Sequence, residues 1–102
     1  MPISQPADAT SITGWTTDDG EPFRMFTGSS WLVPVTGDVE GFSIVARHGF
    51  DIPIEIRGVQ FDDGRASRWV AVGALPEDLP VETARMLAES LAAAVAEVER
   101  HQ

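Results

Sequence analysis

The stretch PVETARMLAESLAAAVAEVERH, Pro80–His101, decides the fold. Its apolar residues recur at three- and four-residue intervals, the spacing of one face of an α-helix. At 100° per residue, Ala84, Leu87, Ala88, Leu91, Val95 and Val98 form one stripe, with Glu82, Arg85, Glu89, Glu97 and Arg100 opposite and Met86 on the polar side. Asp78 is placed to cap the helix, and Pro80 suits its first turn, where amide donors have no intrahelical acceptor. Arg85 and Glu89 can pair at i,i+4 for roughly 0.2–0.5 kcal/mol. Ala88, Ala92 and Ala94 are small enough to let the helix approach a sheet closely.

Upstream, residues 15–74 read as strands and turns. Phe23–Phe26 is a first strand, Trp31–Val35 a second and Phe42–Arg47 a third. Ile52, Ile54 and Ile56 alternate strictly in a fourth, and Ser67–Ala74, with Trp69, Val70 and Val72, is a fifth. Gly28, Gly37-Asp38, Gly41 and Gly49 mark the breaks. Asp62-Asp63-Gly64-Arg65 is the strongest hairpin signal, because Asp-Gly accepts the positive φ of a tight turn. Such short connections predict antiparallel pairing. Val59 and Phe61 fall out of phase with the isoleucines. Either a bulge at Gly58 returns them to the core side, or the strand is buried on both faces at its end. Pro2, Pro6 and the polar residues around them predict a flexible N-terminal tail over 1–13, ahead of a single domain over 14–102. The predicted fold is α+β: an antiparallel four- to five-stranded β-sheet, a meander, with one long C-terminal α-helix packed on one face.

The composition agrees with that fold and narrows the chemistry. A chain of 102 residues holds one hydrophobic core. Its 43% hydrophobic and 23% charged residues are ordinary for a globular domain and argue against disorder of the whole chain. No run of about 18 apolar residues offers a membrane span. Met1–Pro6 lacks the features of a secretory signal, so a cytoplasmic location is expected. Cys is absent, which removes disulfides, a thiolate nucleophile and cysteine metal ligands. The formal net charge is -9 and all 7 basic residues are Arg, a poor basis for direct nucleic-acid binding. Lys, Asn and Tyr are missing, a pattern expected of GC-rich coding.

Candidate chemistry is sparse. His48-Gly49-Phe50-Asp51 puts an imidazole near a carboxylate, the raw material of a general base, but it reads more simply as a solvated turn. Ser29 and Ser30 lack a nucleophile-elbow context. The acidic groups Asp18-Asp19-Glu21 and Asp62-Asp63 lack the ligand spacing of a calcium loop and read as turns. No cofactor and no metal site is expected, and no enzymatic activity. Arg57, Arg65 and Arg68 could converge on the 61–66 hairpin beside Trp69, but in so acidic a chain they read as part of a sheet face balanced by Glu55.

The more substantial signal concerns a partner. One helix covers one face of a sheet. Trp31-Leu32-Val33-Pro34-Val35 is apolar on both of its faces, and Pro34 suits an edge strand, so these five residues are the candidate interface, covered by a second copy or by the tail. A second candidate is a ligand pocket between sheet and helix lined by Trp31, Phe61 and Trp69. A third is an acidic mimic of nucleic acid. Trp69-Val70-Ala71-Val72, Leu79-Pro80, Ala84–Ala88 and Leu91–Ala94 together resemble the tails of small actinobacterial and actinophage proteins of unknown function. The resemblance covers about a third of the chain and implies an origin and a fold class, with no site residues. The expected function is that of a non-enzymatic accessory or regulatory protein acting through protein–protein contact as a homodimer.

Overall fold

The structure, a computed structural model, describes residues 3–17, 20–35, 38–39, 42–43, 51–76 and 78–101, with 38–39 and 42–43 as backbone alone. The alternating isoleucines set its centre. β5 (Asp51–Phe61) turns Ile52, Ile54, Ile56, Gly58 and Gln60 to one face, all buried. β-Branched side chains suit that pleated, packed surface. Fully burying each isoleucine contributes about 1.5–3 kcal/mol as an upper estimate.

β5 lies between β2 (Phe23–Pro34) and β6 (Ala66–Val72), and the short β1 (Ser11–Ile12) pairs with the far side of β2. All pairings are antiparallel, in the order β1-β2-β5-β6. A separate two-stranded ladder, β3 (Asp38–Val39) with β4 (Phe42–Ser43), sits in the connection from β2 to β5. The helix α1 (Val81–Arg100) packs on the isoleucine face. The fold is therefore α+β, an antiparallel four-stranded sheet with one C-terminal helix.

The strand boundaries differ from expectation at Gly28. Phe23–Phe26 and Trp31–Val35 are not two strands but parts of β2, which runs through Gly28. The register passes from Thr27 opposite Arg57 to Ser30 opposite Glu55, so Gly28 and Ser29 together oppose Ile56. That extra residue is a β-bulge. Phe26 and Val33 have opposite parity in sequence, and the bulge brings both to the buried face. No bulge occurs at Gly58, because β5 pairs with β6 in unbroken register from Ile54 to Gln60. Val59 and Phe61 thus point to the other face. Gly58 is required for a different reason. A Cβ there would lie 2.3 Å from Cζ of Phe26 and 2.7 Å from the Ser67 carbonyl oxygen, so the Phe26 ring occupies the space that a side chain would need. The 62–64 turn forms as expected, with Gly64 at φ +94° and Phe61 N–H donating to the Arg65 carbonyl. The expected third strand is described only at Phe42 and Ser43; residues 44–47 lie outside the described residues.

The helix forms where expected but is rotated about its axis. Thr83, Leu87, Ala94 and Val98 are buried, with Met86 and Leu91 packed beside them, whereas Ala84, Ala88, Ala92 and Val95 are exposed. Polarity alone places Glu97 outside. Instead, Ser29 at the bulge donates a hydrogen bond to its Oε1 at 2.6 Å, which satisfies the carboxylate near the sheet. Asp78 does not cap the helix: Pro80 holds the N-cap position, with no side-chain cap, and the Ala84 N–H donates to its carbonyl at 2.9 Å. Arg85 pairs with Glu82 rather than Glu89.

The stretch expected as a flexible tail is docked on the sheet. Beyond the β1 pairing, Arg24 Nη2 donates to the Ile3 carbonyl, Gln60 Nε2 donates to the Ser4 carbonyl, and Pro6 is buried. The strongest tie is ionic. Arg68 Nε and Nη2 donate to Asp8 Oδ2 and Oδ1 at 2.9 and 2.8 Å, with the side chains only 8% and 5% exposed. Arg68 Nη1 donates to the His101 carbonyl, and the guanidinium lies 5.3 Å from the centre of the Phe26 ring. One arginine therefore fastens the N-terminal segment and the end of the helix to the sheet. The helix and this segment together cover the centre of the inner face, with Val72 exposed at its edge.

Candidate interaction surface on the outer face of the sheet

Residues directly opposite in an antiparallel pair share a face, so the ladder register assigns the outer face row by row. Leu32 is beside Pro53. Ser30, Glu55 and Ala71 form the next row, then Thr27, Arg57 and Trp69, then Met25, Val59 and Ser67, and last Phe23 beside Phe61. None of the described elements packs over these rows. Leu32 is 68% exposed and Trp69 41%, and Met25, Pro34 and Pro53 are exposed as well. Exposed apolar residues scattered singly are ordinary, whereas a contiguous patch marks an interaction site.

The face is close to neutral in an acidic molecule. Its two central charged residues are Glu55 and Arg57, and Arg57 Nε donates to Glu55 Oε1 at 2.8 Å. Asp51, opposite Pro34 at one end, is also on this face, and the remaining described acidic side chains lie on the N-terminal segment, the turns and the helix. On one edge, β1 covers β2 only at Phe26 and Thr27, and no described strand pairs with that edge from Ser30 to Pro34.

The five candidate interface residues divide between the faces. Val33 and Val35 are buried in the chain's own core and Trp31 packs against it. Leu32 and Pro34 are exposed on the outer side. The strand is thus half covered by its own helix. The candidate pocket is not assembled: Trp31 shares the inner face with Ile54, while Phe61 and Trp69 are on the outer face. Trp69 and Phe61, not Trp31, accompany Leu32. Met25, Pro53 and Val59 also belong to this face, and only the register of β2 on β5, shifted at the bulge, sets Met25 and Leu32 on one side with them.

The remaining candidates separate in the same way. Arg57, Arg65 and Arg68 do not converge. Arg57 pairs with Glu55 on the outer face, Arg65 with Asp63 and Glu21 at the turn, and Arg68 with Asp8 on the inner face. Donation by the Arg65 backbone and side chain holds the Asp63 carboxyl below its usual range, and the Glu21 and Asp63 carboxylates raise the Arg65 pKa further. The Arg68 guanidinium likewise lowers the pKa of Asp8 against the opposing effect of burial. His48 lies outside the described residues, and Asp51 is exposed at the start of β5. Among the described residues no group of three or more His, Asp or Glu side chains could hold a metal ion. No described helix is long and apolar enough to cross a membrane. Comparison with protein-family models, curated proteins and solved structures finds no match for the chain.

Proposed function

We propose that this chain is a non-enzymatic interaction protein of accessory or regulatory type, and that it works as a homodimer joined through the outer face of its sheet. The observation that carries the reading is Leu32, 68% exposed beside Pro53 on a face whose further rows hold Trp69, Met25 and Val59. A second copy is the occupant that best suits the charge. The chain carries -9 overall, so two copies repel at most surfaces. They meet without that penalty where Glu55 and Arg57 neutralise each other. A basic partner would find only Asp51, at one end of this face, beyond the balanced Glu55–Arg57 pair.

The size of the face bounds the strength of association. Eleven residues of β5 at about 3.4 Å each, across three strands about 4.8 Å apart, give a flat area of about 500 Å² per chain. Side-chain relief raises this towards the lower end of standard interfaces, so the dimer is expected to dissociate on dilution. Multi-angle light scattering on a concentration series tests the reading. The expected result is a rise towards twice the 11.0 kDa chain mass. A mass that stays at one chain up to millimolar concentration overturns it.

A further inference from the structure

Resting on the dimer reading, we infer that the second copy is seated by a two-fold axis that crosses the strands in the interface plane at the level of Ile56, and that Glu55 of each chain is engaged by Arg57 of the other. The central rows of the outer face are complementary about that line, which sets Asp51 opposite Phe61 at the two ends. Ile56 lies midway between the rows of Glu55 and Arg57. A two-fold there exchanges those rows, so each acidic residue meets a basic one. It sets Ala71 against Trp69, a small side chain against a large one. It sets Leu32 against Met25 and Pro53 against Val59, apolar against apolar. Ser30 meets Thr27. A shift of the axis by one row, to the level of Glu55 or of Arg57, would instead set like charge against like charge. An isologous contact of this kind needs every patch to find its complement on the same surface.

The state of Arg57 fits the arrangement. Its guanidinium has five N–H donors, yet within the chain it gives only Nε to Glu55. Both terminal nitrogens are without a partner among the described residues. Sheets packed face to face lie about 10 Å apart, a gap that two long side chains extending from opposite sides can close. In the dimer each Arg57 keeps its own Glu55 through Nε and offers its terminal nitrogens to Glu55 of the other copy. The result is a closed ring of four alternating charges at the centre of the face. Removal of this ring from water makes it a specificity device more than a source of affinity.

Two single charge reversals test the seating. E55R leaves two positive side chains at the centre of the face, and R57E leaves two negative ones. Each variant alone should self-associate at least tenfold more weakly than the wild type by sedimentation equilibrium, with unchanged far-UV circular dichroism and, at concentrations where all are monomeric, an unchanged melting temperature. An equimolar mixture of the two should form a heterodimer at close to wild-type affinity, because every positive group then faces a negative one. The double variant E55R/R57E should associate like the wild type. If the wild type dimerises but the single variants associate just as well, or if their mixture associates no better than either alone, the seating is wrong and the dimer stands. If the wild type itself is monomeric, the dimer reading falls and the seating falls with it.

Discussion

Removing the Asp8 carboxylate should destabilise the fold far more than removing any exposed charge. In D8A the Arg68 guanidinium would remain, 8% exposed, with two of its three donor directions empty. An ion left buried without its partner costs about 3–5 kcal/mol. Total stability of a small domain is about 5–15 kcal/mol, so this is a large fraction of it. An exposed pair such as Arg85–Glu82 contributes about 0–1 kcal/mol by comparison. The double variant D8L/R68M removes both charges and keeps apolar volume, and it should recover most of the loss. Urea denaturation of wild type, D8A, R68M and D8L/R68M measures the difference directly. A loss below about 1 kcal/mol for D8A would refute the reasoning, because it would mean that the N-terminal segment is not held to the sheet by this pair. So would a double variant as unstable as the sum of the singles.

Further outcomes follow from the same geometry. The folded-state pKa of Asp8 is lowered from 3.8 by Arg68, so its contribution is complete above about pH 3.8 and is lost as pH falls through the lowered value; acid unfolding of D8N should show a shallower loss over that window than the wild type. G58A should cost about 1–3 kcal/mol in thermal or urea unfolding, since a Cβ meets both the Phe26 ring and the Ser67 carbonyl, and F26L should relieve only the part due to the ring. S29A should cost about 1–3 kcal/mol, because it leaves the half-buried Glu97 carboxylate without the hydroxyl that donates to it. L32E replaces an exposed side chain and should change stability by less than about 0.5 kcal/mol in the monomer while abolishing association.

The parts of this fold that were legible in the sequence are the strongly periodic ones. Twenty helical residues and three alternating isoleucines repeat often enough to announce their elements. Their phase was harder to read. Thr83 and Glu97 look solvent-facing by polarity, yet Thr83 is fully buried and Glu97 accepts a hydrogen bond from Ser29 across 68 positions. Glycine marks an irregularity without saying which kind. Gly28 suggests a break and is part of a bulge, while Gly58, for which a bulge is one of two readings, makes room for an aromatic ring. The opposed parity of Phe26 and Val33 was the available signal for the bulge. The Asp8–Arg68 pair joins residues 60 apart and leaves no local trace. The candidate surface was legible only in part for the same reason. Leu32 and Pro34 stood out within one apolar run, but their neighbours Trp69, Met25 and Val59 are assembled by strand register.

The dimer stands or falls with the outer face of the sheet being the surface where two copies meet. Sedimentation equilibrium on the wild type, L32E and V95E tests this directly, because Leu32 lies on that face and the exposed Val95 lies on the helix that covers the other. The expected result is a concentration-dependent dimer for the wild type and for V95E, and a monomer for L32E at every concentration. Equal association of L32E and the wild type, or loss of association in V95E alone, would contradict it.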